Sequence, residues 1–135
     1  MTDSELCEIA TDAMKRAYVP YSGYRVGAAL LCKNGKVYTG CNIENASYTP
    51  TVCAERTAFF KAVSEGETEF VKIAVAGGKD GVITGAFPPC GVCRQVMAEF
   101  CKPDFIVLMV TGKNSFNAAA LKELLPLAFT SANVK

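Results

Sequence analysis

Two cysteine motifs, well separated along the chain, limit what this sequence can fold into. Cys53-Ala54-Glu55-Arg56 comes first, and Pro88-Pro89-Cys90-Gly91-Val92-Cys93-Arg94-Gln95 follows. A fold that joins them gathers three thiols around one carboxylate. Zinc takes Cys sulfur in tetrahedral sites, and a hydrolytic site supplies three protein ligands so that water can take the fourth position. The sequence has no His, so the commonest neutral metal ligand and the usual general base are both missing. Glu55 is then the natural proton carrier.

Helix starts suit such a site. The residues from Cys53 to about Glu65 are strong helix formers, with Gly66 as a C-terminal stop. Cys90 to Cys101 reads as a second helix, introduced by two prolines. Both would turn their positive N-terminal ends towards the sulfurs and favour thiolates. Three thiolates on a divalent zinc leave a net negative charge, which weakens the metal as a Lewis acid. Arg56 can hydrogen-bond a sulfur and withdraw charge, and Gln95 is expected to donate in the same way.

The remaining pattern is that of a layered α/β protein. Thr2 and Glu5 have capping-box spacing, and Leu6, Ile9, Ala13, Met14 and Ala17 make one apolar face of a first helix ending before Pro20. Val26–Leu31 and Lys36–Asn42 read as strands of a hairpin about Lys33-Asn34-Gly35. Buried strands are expected at Val71–Ala76, bounded by Gly77-Gly78, and at Phe105–Val110. Gly112–Asn117 reads as irregular and Ala119–Leu125 as a last helix stopped by Pro126. Helices alternating with apolar strands indicate crossover connections within one sheet.

At 135 residues, a single domain over 1–135 is expected. With 50% hydrophobic and 20% charged residues the chain is too apolar for disorder and leaves surface for a partner. A net charge of +1 without any Lys/Arg run argues against nucleic acid. Met1–Lys15 carries Asp3, Glu5, Glu8 and Asp12, unlike a signal peptide, and no segment is suited to span a bilayer. Seven Cys, an odd count without secretory context, favour reduced thiols and metal ligation, hence a cytoplasmic protein. Cys7, Cys32, Cys41 and Cys101 read as small buried hydrophobes, and Tyr21 as core.

The motif pair resembles the zinc-dependent nucleoside deaminases, in particular the short cytidine deaminases, where three Cys replace one His and two Cys beside a separate Glu. The likeness extends through Pro20-Tyr21-Ser22-Gly23-Tyr24-Arg25-Val26-Gly27-Ala28-Ala29-Leu30, Gly40-Cys41-Asn42-Ile43-Glu44-Asn45-Ala46 and Glu123-Leu124-Leu125-Pro126. It implies a three-layer α-β-α fold with a mixed central sheet. It also implies one Zn²⁺ per chain on Cys53, Cys90 and Cys93, with Glu55 as catalytic acid–base. The reaction implied is hydrolytic deamination of cytidine and deoxycytidine to uridine and deoxyuridine plus ammonia, in pyrimidine salvage. Glu55 would protonate N3 of the pyrimidine as a water-derived nucleophile adds at C4, and then protonate the departing amino group.

The resemblance further assigns Asn42 and Glu44 to the sugar hydroxyls and the Ala54 backbone to the base edge. A carboxylate there repels anions, so a free nucleoside is expected as substrate rather than a nucleotide. Tyr24 stands where the family usually has a Phe near the base, and a buried tyrosine hydroxyl needs a partner. A homotetramer with shared active sites is implied, with Phe129 reaching over a neighbour's pocket and Ala46 and Tyr48 near that junction.

Other chemistries fit parts of the pattern. A C-x-x-C pair alone more often marks structural zinc or a redox dithiol. Structural zinc needs a fourth ligand, for which Cys41 is the obvious choice. The redox reading leaves Cys53 and Glu55 unexplained. A deaminase of another cytosine nucleoside, such as an antibiotic, is the alternative within the same superfamily.

Overall fold

The computed structural model describes all residues from Met1 to Lys135. Its first helix, α1 (Asp3–Ala13), begins at the expected capping box. The Thr2 hydroxyl accepts from the Glu5 N–H (3.1 Å), and the Glu5 carboxylate accepts from the Thr2 N–H (2.9 Å). A 3₁₀ turn over Met14–Arg16 follows. Then come β1 (Tyr24–Cys32), β2 (Val37–Cys41), α2 (Ala54–Ser64), β3 (Phe70–Lys79) and α3 (Gly91–Phe100). The chain continues through β4 (Ile106–Gly112), β5 (Ser115–Ala120) and α4 (Leu121–Leu124).

The five strands form one mixed sheet in the order β2-β1-β3-β4-β5, in which only β3 and β4 run parallel. Side-chain alternation divides the core between its faces. Ala28, Leu30, Ile73, Val75 and Val107 pack with Ala58, Phe59 and Met97, on the side of α2 and α3. The intervening Ala29, Ala74, Ala76, Leu108 and Val110 pack with Leu6, Ala10 and Met14, on the side of α1. Three layers result, α1 below the sheet and α2 with α3 above it.

Phe59 locks the upper layer. It is fully buried, with its ring centroid 5.2 Å from that of Phe70, 6.1 Å from Phe105 and 6.2 Å from Phe100. The contact with Phe100 joins the two helices whose starts carry the motif cysteines. Close approach does the rest: a Cβ at Gly40 would lie 2.3 Å from the Ala54 carbonyl oxygen and 2.6 Å from the Ala58 nitrogen. Both opposing atoms are helix backbone and have little room to yield. Gly40→Ala is therefore expected to cost about 1–3 kcal/mol, the range of overpacked cores. A thermal melt with a midpoint unchanged from wild type would show that α2 does not depend on this contact.

The last quarter of the chain departs from expectation. Residues 115–120 are a strand, not an irregular stretch running into a helix, and α4 keeps only four residues. Ala118, Ala119 and Ala120 have high helix propensity, but they pair with Leu108, Val107 and Ile106 of β4. Ladder hydrogen bonds to the edge of β4 that β3 leaves unpaired outweigh that weak local preference. At Gly77-Gly78, where β3 was expected to stop, the strand continues and pairs with Val26 and Arg25.

Candidate metal centre and nucleoside site

Cys53 and Cys90 are the residues immediately before α2 and α3, both in extended backbone (φ −75°, ψ 157° and φ −69°, ψ 167°). Neither side chain caps its own helix, so the sulfurs stay available to each other. Cys93 lies one turn into α3, on the same side as Cys90. Cys90 Sγ is 3.6 Å from both Cys53 Sγ and Cys93 Sγ, and all three sulfurs lie within 4.8 Å of one another. A tetrahedral zinc with ~2.3 Å bonds spaces its sulfurs by about 3.8 Å, close to the two 3.6 Å separations about Cys90. Cys41 is outside it; in the loop-ward end of β2, its carbonyl accepts from the Thr57 hydroxyl (3.0 Å).

Electrostatics separates these thiols from the others. Hydrogen bonding from Cys93, supported by Arg56 and Cys90, pulls the Cys53 thiol down to about 5. Cys93, the donor in that pair and itself buried, is pushed up. A cation at the centre of the triangle would displace the thiol protons and take all three sulfurs as thiolates. By contrast, burial pushes Cys7 and Cys32 up to about 11 and Cys101 to about 12, as expected of inert thiols. Cys41 and Cys101 are only half-buried, a correction to their reading as core.

Arg56 makes the expected contact with a sulfur, a guanidinium nitrogen lying 3.4 Å from Cys53 Sγ, and its buried Nε has no protein partner. Gln95 does not. It is exposed on α3, and its amide donates to the Phe129 carbonyl (2.8 Å) and to no sulfur. Arg94, which no sequence signal singled out, donates to the carbonyls of Pro89 (2.8 Å) and Leu124 (2.7 Å). It thereby fixes the approach of the chain to Cys90.

Glu55 is 3% exposed, the one charged residue in the core. Burial pushes its carboxyl up to about 7, and the nearby Cys53 thiolate adds to the effect. A carboxyl with that affinity can both take and release a proton near neutral pH. Ala54 beside it is fully buried.

Asn42, one of the residues expected to bind the sugar, clamps the start of β1. Its Oδ1 accepts from the Val26 N–H (2.9 Å) and its Nδ2 donates to the Tyr24 carbonyl (2.8 Å). Glu44 Oε1 accepts from the backbone N–H groups of Tyr21 (3.0 Å) and Ser22 (3.1 Å), and Oε2 accepts from the Ser22 hydroxyl. That hydroxyl, with the two N–H groups, holds the carboxyl below its ordinary range. Three of its roughly four lone-pair positions are used, which leaves room for one further hydroxyl donor. Tyr21, Ser22, Glu44, Tyr48 and Thr51 line a cavity of about 390 Å³. Tyr21 is 52% exposed there, not in the core as expected. Tyr24 is also largely exposed, so its hydroxyl needs no protein partner. Ala46, Tyr48 and Phe129 are exposed as well.

Chemistry, not concavity, identifies the site: a cavity of similar size, about 400 Å³ between α1 and the β4–β5 turn, contains no such constellation. Comparisons with known proteins agree. Residues 1–109 match the family model for the cytidine and deoxycytidylate deaminase zinc-binding region. A cytidine deaminase of Halalkalibacterium halodurans is 50% identical over 129 residues, covering 96% of this chain and 95% of that one. One from Sporosarcina psychrophila is 48% identical over 122 residues, covering 90% and 87%. The crystal structure of cytidine deaminase from Burkholderia pseudomallei superposes with a TM-score of 0.88 at 46% identity, covering 96% of this chain and all of that one. The chain belongs to the zinc-dependent cytidine and deoxycytidylate deaminase family. The metal of that family is zinc, and the three-cysteine cluster suits it.

Proposed function

We propose that this chain, as one catalytic domain over residues 1–135, deaminates cytidine and deoxycytidine by hydrolysis to uridine and deoxyuridine plus ammonia. The observation that carries the reading is a buried carboxyl, Glu55, beside three converging thiols with no fourth protein ligand. Structural zinc requires closure by a fourth residue, and a redox dithiol would leave Glu55 without a purpose. Cys53, Cys90 and Cys93 would hold the ion, which supplies a Lewis acid that makes water nucleophilic near neutral pH.

Glu55 takes a proton from the attacking water and delivers it to N3 of the pyrimidine, then takes the second proton from the new C4 hydroxyl and passes it to the amino group, which leaves as ammonia while the C4 carbonyl forms. Arg56 offsets thiolate charge. Asn42 and Glu44 receive the sugar, Tyr24 flanks the base, and the Ala54 backbone meets the base edge. Ordinary cytosine nucleosides are favoured over a modified antibiotic by the identity to proteins named cytidine deaminase.

Loss of cytidine ultraviolet absorbance, matched by ammonia and uridine, is the direct test. Cytidine monophosphate and cytosine in single-stranded DNA should be turned over negligibly, since no basic cluster receives phosphate. Equal rates on nucleoside and nucleotide would overturn the substrate reading.

The working form is a homotetramer in the cytoplasm, where reducing conditions keep the ligand thiols free. No helix is long and apolar enough to cross a membrane. Apolar surface at the C-terminal end supports assembly: Leu127 is fully exposed, and Phe129 is 62% exposed while Gln95 holds its carbonyl. Phe129 then closes a neighbour's pocket, with Ala46 and Tyr48 beside the junction. Glu55→Gln and Phe129→Ala chains, unfolded and reassembled together, should regain more activity than either alone, because hybrids contain some intact sites. Hybrid oligomers without recovery, or a wild-type monomer that is active, would refute sharing.

A further inference from the structure

Lys79 is the last residue of β3 and stands directly opposite Tyr24, the first residue of β1, in the antiparallel register. Its ammonium donates to the Ser22 carbonyl (2.7 Å) and lies 5.3 Å from the centroid of the Tyr24 ring. Ser22 is therefore held at every polar group. Its N–H and hydroxyl go to Glu44, its carbonyl receives Lys79, and its oxygen accepts from the Tyr24 N–H (3.0 Å).

The intervening Gly23 makes the arrangement sterically open. It has φ +73°, and a Cβ there would lie 2.9 Å from Lys79 Nζ, so a side chain at this position would both strain the backbone and crowd the ammonium. The Asp80 N–H donates to the Gly23 carbonyl (2.8 Å), tying the turn a second time to the end of β3.

From this geometry we infer that Lys79 is a positioning residue for the nucleoside site: it holds the Ser22–Tyr24 turn through the Ser22 carbonyl while Glu44 holds it through the Tyr21 and Ser22 N–H groups and the Ser22 hydroxyl. The inference rests on the substrate-binding roles proposed for Tyr24 and Glu44. A long, exposed lysine is ordinarily free to sample many rotamers; this one has a hydrogen-bond acceptor and an aromatic face within reach of one pose. Its positive charge also favours the ionised Glu44, after the larger contribution of the Ser22 hydroxyl. Lys79 touches neither the thiol cluster nor Glu55, so its loss should weaken binding without slowing chemistry.

Steady-state kinetics on zinc-loaded protein separates these effects. Lys79→Met keeps the aliphatic stem but loses the donor and the cation; KM for cytidine should rise about fivefold to tenfold, a fraction of what an exposed cation–π contact and a charge-assisted hydrogen bond contribute together, because Lys79 acts on the substrate only through the turn. Zinc content and kcat should stay close to wild type, the pattern of lost ground-state binding. Lys79→Arg, which retains a donor and a cation able to stack on tyrosine, should recover most of the lost affinity. An unchanged KM in Lys79→Met, a fall in kcat that follows zinc loss, or an arginine variant as impaired as the methionine one would overturn the role. A wild-type protein inert towards cytidine would instead overturn the deaminase reading beneath it.

Discussion

Glu55→Gln is expected to keep its zinc and lose about a hundredfold to ten-thousandfold in turnover, the contribution typical of a positioned acid–base group. Glutamine has the shape of glutamate and fits the same buried volume, but it cannot carry a proton between water and the pyrimidine. The substitution also has a stability signature. A carboxyl pushed up to about 7 by burial favours the folded state most below its unfolded value near 4.5, and that contribution is lost as pH rises through 7. Glutamine stays neutral throughout. In protein stripped of metal, the variant should therefore unfold at higher denaturant than wild type at pH 8, with the difference shrinking towards pH 5. Near-normal turnover by Glu55→Gln would eliminate the mechanism, whatever the stability result.

Replacing any one of Cys53, Cys90 or Cys93 by Ala should abolish both stoichiometric zinc and activity, while Cys41→Ala retains both. A structural zinc site is typically worth about 10–16 kcal/mol of binding free energy near neutral pH, and a triangle of sulfurs reduced to two gives up much of that. Because zinc binds the folded chain in preference to the unfolded one, the three ligand variants should also melt at lower temperature. Metal analysis after dialysis, read beside the melting midpoint, measures this directly. Zinc lost as readily from Cys41→Ala as from Cys53→Ala would mean a closed site with four cysteines, and the catalytic reading would fail.

Much of the site was legible because its signals are local. Cys53 and Cys90 precede helix-forming segments, and Arg56 follows Cys53 at a spacing that returns it to the same side of α2. Asn34-Gly35 specified the β1–β2 turn: Asn34 Oδ1 accepts from the Lys36 N–H (3.0 Å), and Gly35 takes φ +92°. Residues that act through distant partners were not legible. Gln95 sits next to the motif, yet its amide meets Phe129, 34 positions away. Arg94 joins Pro89 to Leu124, and Lys79 reaches Ser22 across 57 positions.

What the sequence determined by itself is the chemistry: three thiols and one carboxylate, without histidine, at the starts of two helices. Helix starts depend on neighbouring residues and on backbone dihedrals, which short-range preferences control. Tertiary structure alone decided that residues 115–120 complete the sheet, because pairing with β4 satisfies more backbone groups than a short alanine helix would. It also decided how deeply Glu55 is buried. That depth, and with it the proton affinity suited to catalysis, comes from packing α2 against the sheet at Gly40 and against α3 through Phe59 and Phe100, contacts between surfaces that no local pattern encodes.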